Sequence, residues 1–182
     1  MPRWADRDNR RYRVEPLRLL QLVIIIILIS LLILVAAWRV LPLRGHAEAA
    51  HVTTVIGGLR SAVGLTVAET VVRDGLAALS ALDGSNPMAL LQEWPERYRG
   101  PVLSDQRAKV PPGYWYFEPD TGRLGYRVRF TQYLAEPRQD PIHLRWRLTL
   151  GFDDLDGSGR FNPDTDRVRS LALEPEQDWI WP

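Results

Sequence analysis

The chain contains no cysteine among its 182 residues and only three histidines. The absence of cysteine excludes a disulfide scaffold, a thiolate nucleophile and a cysteine-ligated metal site. Serine does not occur in a GxSxG pattern, and there is no glycine-rich phosphate-binding loop. His46 and His51 flank Glu48, but their spacing differs from that of an HExxH zinc motif. These absences predict that the protein is not an enzyme.

An excess of charge of one sign is also missing. The chain has 23 lysines and arginines against 22 aspartates and glutamates, which gives a formal net charge of +1. A near-neutral chain lacks the positive field that attracts a nucleic-acid backbone. The sequence therefore predicts no nucleic-acid partner.

One long hydrophobic run is present near the N-terminus. Residues 22–37 read LVIIIILISLLILVAA, and Leu19 and Trp38 extend the run. At about 20 residues, it is long enough to cross a bilayer as a helix that satisfies its own backbone hydrogen bonds. Arginines are denser before the run than after it. Because basic residues are retained on the cytoplasmic side, we expect a cytoplasmic N-terminus and an exported C-terminal part.

Two other interpretations of the run fit less well. A cleaved signal peptide normally has a shorter apolar core that ends in a small-x-small site, unlike Val35-Ala36-Ala37 before Trp38. A buried helix of a globular domain would need a polar face, which this run lacks. We therefore expect an uncleaved anchor. The expected organisation is a basic tail over 1–18, a transmembrane helix over 19–41 and an exported domain over 42–182.

The exported part begins with helix signals and continues with strand signals. Apolar residues spaced three to four apart from Val52 to Val71 predict an amphipathic helix over about 47–82. Asn86-Pro87 predicts the start of a short helix over 87–94. Apolar alternation predicts an antiparallel meander of about four strands over about 114–173. The expected fold class is α+β, with a transmembrane helix, an amphipathic helix and this sheet.

Glycines within the predicted amphipathic helix have two interpretations. Gly57, Gly58, Gly64 and Gly75 each weaken the interior of a helix by about 1 kcal/mol relative to alanine. They permit close packing either on the domain's own sheet, the interpretation that we favour from the sequence, or against a partner helix.

Outward-facing arginines and C-terminal tryptophans also leave two interpretations each. The arginines form either a solvated face, which is the commoner case, or a strip that docks an acidic partner or a phosphate. Trp179 and Trp181 either cap the core, which we favour, or anchor a partner. The arginines concerned are Arg127, Arg129, Arg145 and Arg147.

An acidic segment between the last two predicted strands resembles a twelve-residue calcium loop. It has an oxygen-bearing residue at every second position, and Gly159 falls at the sharp turn. Thr165 occupies the twelfth position, where a bidentate glutamate is usual, so a flanking aspartate would have to close the loop. The alternative is an acidic connection whose residues serve turn geometry. The candidate Ca²⁺ ligands are Asp154, Asp156, Ser158, Arg160 through its carbonyl, Asn162, Asp164 and Asp166.

The order of these elements, together with several short motifs, resembles type IV pilins and the pseudopilins of type II secretion. Gly58-Leu59, Ser61-Ala62 and Leu65 resemble the GxL-SA-x-L pattern of MSHA-type (mannose-sensitive haemagglutinin) pilins. Other short segments resemble MSHA biogenesis proteins of the MshF kind, and the likeness extends over most of 17–130. These segments are 86–91, 98–100, 112–117 and 121–126.

This resemblance implies a pseudopilin-like component of MSHA-type pilus biogenesis, anchored in the inner membrane of a Gram-negative cell. Its partners would be pilin or pseudopilin subunits or proteins of the assembly platform, and its domain would be periplasmic and pilin-like. The chain departs from prepilins because Arg13-Val14-Glu15-Pro16 precedes the span and no glycine precedes the apolar start. A membrane-bound assembly role is therefore expected rather than incorporation into a fibre. The alternative is a membrane-tethered calcium-binding module of unrelated role.

Overall fold

The computed structural model describes residues 16–40, 43–134 and 142–177, and the chain divides into the units Met1–Leu43 and Arg44–Pro182. The first unit contains α1 (Pro16–Val40), whose side chains from Arg18 onward are exposed. In the part of the chain that the structure describes, one helical stretch near the N-terminus is long and apolar enough to cross a membrane, by length and composition.

The amphipathic helix α2 spans Leu43–Asp74, and its residues from Arg44 onward belong to the second unit. Its buried side follows the predicted apolar stripe, with Val52, Ile56, Leu59 and Val63 all buried. The predicted helix over about 47–82 is interrupted at Gly75, which has a positive φ of 84° that ends an α-helix. A 3₁₀-helix (Leu76–Leu82) follows this glycine.

The second predicted helix is shorter than expected. Residues Pro87–Leu90 form a single 3₁₀ stretch, and the Asn86 side chain caps it by accepting a hydrogen bond from the Met88 amide (3.1 Å). Leu91 has already returned to extended backbone. The prediction of a helix reaching residue 94 is therefore wrong, although its capping residue is correct.

The sheet is mixed and has five strands in the order β1-β2-β3-β4-β5. Neighbouring strands from β2 to β5 pair antiparallel, as predicted, but β1 pairs parallel to β2. The sequence analysis missed β1, because its Gly-Pro ending is typical of a loop. The prediction of an α+β fold is confirmed, and that of a purely antiparallel sheet of about four strands is wrong. The strands are β1 (Tyr98–Pro101), β2 (Trp115–Glu118), β3 (Arg123–Arg127), β4 (His143–Asp153) and β5 (Arg167–Pro175).

One hydrophobic cluster joins the buried side of α2 to the inner face of the sheet. The alternation predicted for β4 is present, since Leu144, Trp146, Leu148 and Leu150 are all buried. The ring centroids of Trp146 and Trp115 lie 5.3 Å apart at the centre of this face. The packing of α2 on this face leaves the opposite side of α2 and the outer face of the sheet for other contacts. The predicted core role of Trp179 and Trp181 lies outside the described residues.

Candidate functional site

The side of α2 that faces away from the sheet carries a line of small residues, beside which Leu65 and Val72 are also exposed. The small residues recur at intervals of three or four and are all exposed, so they form one continuous line along the helix. We name this surface the small-residue face. Its members are Ala50, Thr54, Gly57, Ser61, Gly64 and Ala68.

Gly57, Gly58 and Gly64 of α2 do not pack against the described part of the domain's own sheet. A Cβ atom added at Gly57, Gly58 or Gly64 would have no other atom within 4 Å, apart from its own helix backbone and chain neighbours. The favoured sequence interpretation, close packing within the domain, is therefore wrong. Each glycine lowers helix stability by about 1 kcal/mol without a compensating contact inside this unit.

The hydroxyl groups on the small-residue face are turned back onto the helix. Thr54 Oγ1 donates to the Ala50 carbonyl (2.8 Å), and Ser61 Oγ donates to the Gly57 carbonyl (3.0 Å). Each hydroxyl thus has a hydrogen-bond acceptor within its own helix. The face can consequently lie close against another helix without leaving these donors unpaired.

The acidic connection between β4 and β5 brings three carboxylates together. Oxygens of Asp154, Asp156 and Asp166 all lie within 4.8 Å of one another. Backbone amides also converge on the carboxylates, with Ser158 N 2.9 Å from Asp156 Oδ1 and Gly159 N 2.8 Å from Asp154 Oδ2. Hydrogen bonds from Ser158 are the main cause that lowers the pKa of Asp156.

Three of the other predicted calcium ligands form hydrogen bonds within the connection. The Asn162 side chain donates its amide to Asp156 Oδ2 (3.2 Å), and Ser158 Oγ donates to the Arg160 carbonyl (2.9 Å). Asp164 is exposed and lies outside the carboxylate group, whereas Asp166 is buried within it. The flanking aspartate that approaches the other two carboxylates is therefore Asp166.

Glu48 is a polar residue whose role the sequence analysis missed. Its carboxylate is buried against β3 and accepts hydrogen bonds from the Tyr126 hydroxyl (2.8 Å) and the amides of Arg129 (2.7 Å) and Phe130 (2.9 Å). Burial and the bond to Glu48 raise the pKa of Tyr126. The available signal was its position one turn before Val52, within the buried stripe.

The Glu48 carboxylate therefore links α2 to the end of β3 through hydrogen bonds. His46 and His51, the two histidines beside it in sequence, are exposed and do not share its burial. Within the described ranges, the group that could hold a metal ion is the three aspartates.

Three of the four arginines considered in the sequence analysis, Arg127, Arg145 and Arg147, lie on the outer face of the sheet. Arg127 lies opposite His143, and Arg145 lies opposite Gly125, in the register of β3 and β4. Arg147 follows Arg145 on the same face, and its guanidinium lies 3.7 Å from the Asp83 carboxylate. Arg129 is past the end of β3, where it places its side chain over the Phe130 ring at 5.2 Å.

No protein-family model, curated protein or solved structure matches this chain.

Proposed function

We propose that this protein is a non-enzymatic, pseudopilin-like component of type IV (MSHA-type) pilus biogenesis. Its N-terminus lies in the cytoplasm, α1 anchors it in the inner membrane, and its α+β domain occupies the periplasm. It acts by helix packing and protein–protein contacts, and its partners are pilin or pseudopilin subunits or proteins of the assembly platform. The observation that carries this proposal is the exposed small-residue face of α2.

Physical chemistry favours a helix as the partner of this face. Small side chains let two helix backbones approach closely, which increases dispersion contacts along the whole interface. The two glycines on the face destabilise α2 on its own, so a partner helix supplies contacts that the isolated domain does not. Arg60 is exposed beside the line and would meet a partner's charge at the rim.

The test is to fill the face without harming the fold. Gly57→Leu and Gly64→Leu add side chains into open space, so each should raise the free energy of unfolding by up to about 1 kcal/mol through helix propensity. The same substitutions should abolish co-purification of pilus-system proteins with the full-length chain from membranes. A variant that is more stable than the wild type but no longer associates with its partners has an intact fold and a blocked interface.

Glu69→Leu is the matched control, because it adds the same side chain to the same helix outside the small-residue face. It should leave co-purification unchanged. If the glycine variants also retained their partners, the helix-packing proposal would be wrong.

A second proposal concerns the acidic connection, which we infer to bind Ca²⁺. Calcium–oxygen distances of about 2.3–2.6 Å place ligands on opposite sides of the ion about 5 Å apart. The three converging carboxylates, within 4.8 Å of one another, fit that size. The ion would order the connection between β4 and β5 by fixing residues that otherwise retain conformational freedom. On this proposal alone, the chain is a membrane-tethered calcium module.

Titration calorimetry of the full-length chain in detergent micelles tests the calcium proposal. The wild-type protein should bind calcium at millimolar concentration or below, and the double variant Asp154→Ala with Asp156→Ala should give no heat. Asp164→Ala, which removes an exposed carboxylate outside the group, should bind like the wild type. Absence of heat from the wild type at millimolar calcium would contradict the proposal.

A further inference from the structure

The outer face of the sheet contains a group of polar side chains that neither proposal uses. The ring of Tyr116 lies at the base of this group and crosses β3. Its hydroxyl lies 2.7 Å from Nδ1 of His143 on β4. Gly125 makes this crossing possible, since a Cβ atom there would lie 2.2 Å from the tyrosine ring. The arrangement therefore depends on a specific pair of residues on adjacent strands.

Three guanidinium groups lie near Tyr116 and His143. Arg127 extends from β3, Arg145 from β4, and Arg107 from the 3₁₀-helix Ser104–Lys109. All three lie close enough to His143 to lower its pKa, although burial of the imidazole is the larger cause. Arg127 also donates to the carbonyls of Ala108 and Val110, which attaches the segment that carries Arg107 to the sheet.

The positive charge in this group has little compensation. Within the described ranges, Arg107, Arg127 and Arg145 form no ion pair. The Glu118 carboxylate is buried and helps to raise the pKa of Tyr116, and within the described residues its Oε1 atom has no hydrogen-bond partner. Three guanidinium groups therefore accompany one buried carboxylate in this group.

Two donors in the group also lack acceptors. Arg145 Nε and His143 Nε2 are buried side-chain atoms that have no hydrogen-bond partner among the residues that the structure describes. Burial raises the pKa of Tyr116 to about 12, so its hydroxyl keeps its proton and can donate to Nδ1. In that arrangement Nε2 of the neutral imidazole carries the remaining proton and is a donor. Unpartnered buried donors of this kind are costly and are satisfied by an added acceptor.

We propose that Arg107, Arg127 and Arg145, with His143 beside them, form a binding site for a phosphate-type oxyanion. Guanidinium groups present several donors in a plane that matches phosphate oxygens, and charge-assisted bonds of this kind are stronger than neutral ones. The three arginines come from two strands and the 3₁₀-helix Ser104–Lys109. A tetrahedral oxyanion offers acceptors in several directions, whereas a planar carboxylate presents its two in one plane.

Calorimetric titration of the full-length chain with inorganic phosphate tests the site, in micelles of a detergent without a phosphate head group. The wild-type protein should bind phosphate and should not respond to chloride at the same ionic strength. Arg145→Gln should weaken phosphate binding about tenfold or more, because it removes a charged donor. Arg107→Gln, on the 3₁₀-helix Ser104–Lys109, provides a second variant, and near-ultraviolet circular dichroism checks that each variant is folded.

Arg169→Gln is the control for a general effect of charge. Arg169 is exposed on β5 and pairs with Asp153, away from the site. Its substitution should change phosphate affinity less than twofold. Equal weakening by Arg169→Gln, or an equal response to chloride, would overturn the proposal, and so would tighter binding of acetate than of phosphate.

Discussion

The two faces of the sheet are stabilised by different kinds of contact. The inner face buries Trp146 and Leu148 against a cluster shared with α2, so its stability depends on apolar volume. The outer face orders Tyr116 and His143 through a hydrogen bond and a ring that lies across Gly125. Burial is non-directional, whereas these outer contacts depend on the geometry of single positions. The inner face should therefore be sensitive to lost volume and the outer face to a single added atom.

The largest effect should follow from truncation of the inner face. Trp146→Ala removes a fully packed side chain and leaves a cavity, so we expect a loss of about 3–5 kcal/mol in the free energy of unfolding. Denaturant titration of the full-length chain in micelles measures this change. Trp94→Ala is the control, since Trp94 is 66% exposed and should cost about 1 kcal/mol or less. Similar losses in the two variants would contradict the comparison.

A single methyl group should damage the outer face. Gly125→Ala would place its Cβ 2.2 Å from the Tyr116 ring, which would have to leave its position, at a cost of about 2–3 kcal/mol. In a Tyr116→Ala background, the same substitution should cost less than about 0.5 kcal/mol. A double-mutant cycle from equilibrium unfolding measures this coupling. Additive effects would show that the ring does not explain the glycine.

Removal of the Glu48 carboxylate at the edge of the inner face should have an intermediate effect on the free energy of unfolding. Glu48→Ala removes the acceptor for the Tyr126 hydroxyl and for two backbone amides, and we expect a loss of about 2 kcal/mol. Glu48→Gln keeps one acceptor oxygen and should lose less. Equilibrium unfolding ranks the two variants, and equal losses would indicate that the hydrogen bonds are not responsible.

The smallest effect should be a pH dependence that arises on the outer face. Burial, followed by Arg127, Arg145 and Arg107, lowers the pKa of His143 from 6.5 to about 4. As the pH falls from 6.5 to about 4, the unfolded state takes up a proton that the folded state does not. Stability should therefore fall across this window, by the order of 1 kcal/mol after solvent screening of a half-buried group.

His143→Gln should remove this contribution, and the difference between the pH profiles of variant and wild type isolates it from other titrating groups. Chemical unfolding at a series of pH values provides both profiles. Parallel profiles between pH 4 and 6.5 would mean that the imidazole is not held in its neutral form.

The sequence was sufficient where periodicity alone determines structure. The alternation in β4 and the buried stripe of α2 were both predicted, because each side chain's direction follows from its position along the element. The sequence was insufficient where pairing between residues distant in the chain determines the secondary structure. Residues 98–101 become a strand because Tyr98 pairs with Trp115, and no local pattern indicates this pairing.

The candidate sites, too, could be predicted from the sequence only in part. The loop spacing correctly suggested that Asp154 and Asp156 approach one another, since both lie within one short turn. The choice of Asp166 over Asp164 depends on how the chain enters β5, which is a three-dimensional property. The sequence analysis missed Glu48, which lies one turn before the predicted stripe, and no sequence pattern indicates its partners, which lie 78 or more residues away.

Glu48 also has a mechanical consequence. It is the sixth residue of α2, and it precedes Val52, the first buried valine of the stripe. Tension transmitted along the backbone from the N-terminal side would reach its three hydrogen bonds before it reached the apolar contacts farther along the helix. The carboxylate would then bear the initial load, and the helix would peel from the sheet after those bonds had broken.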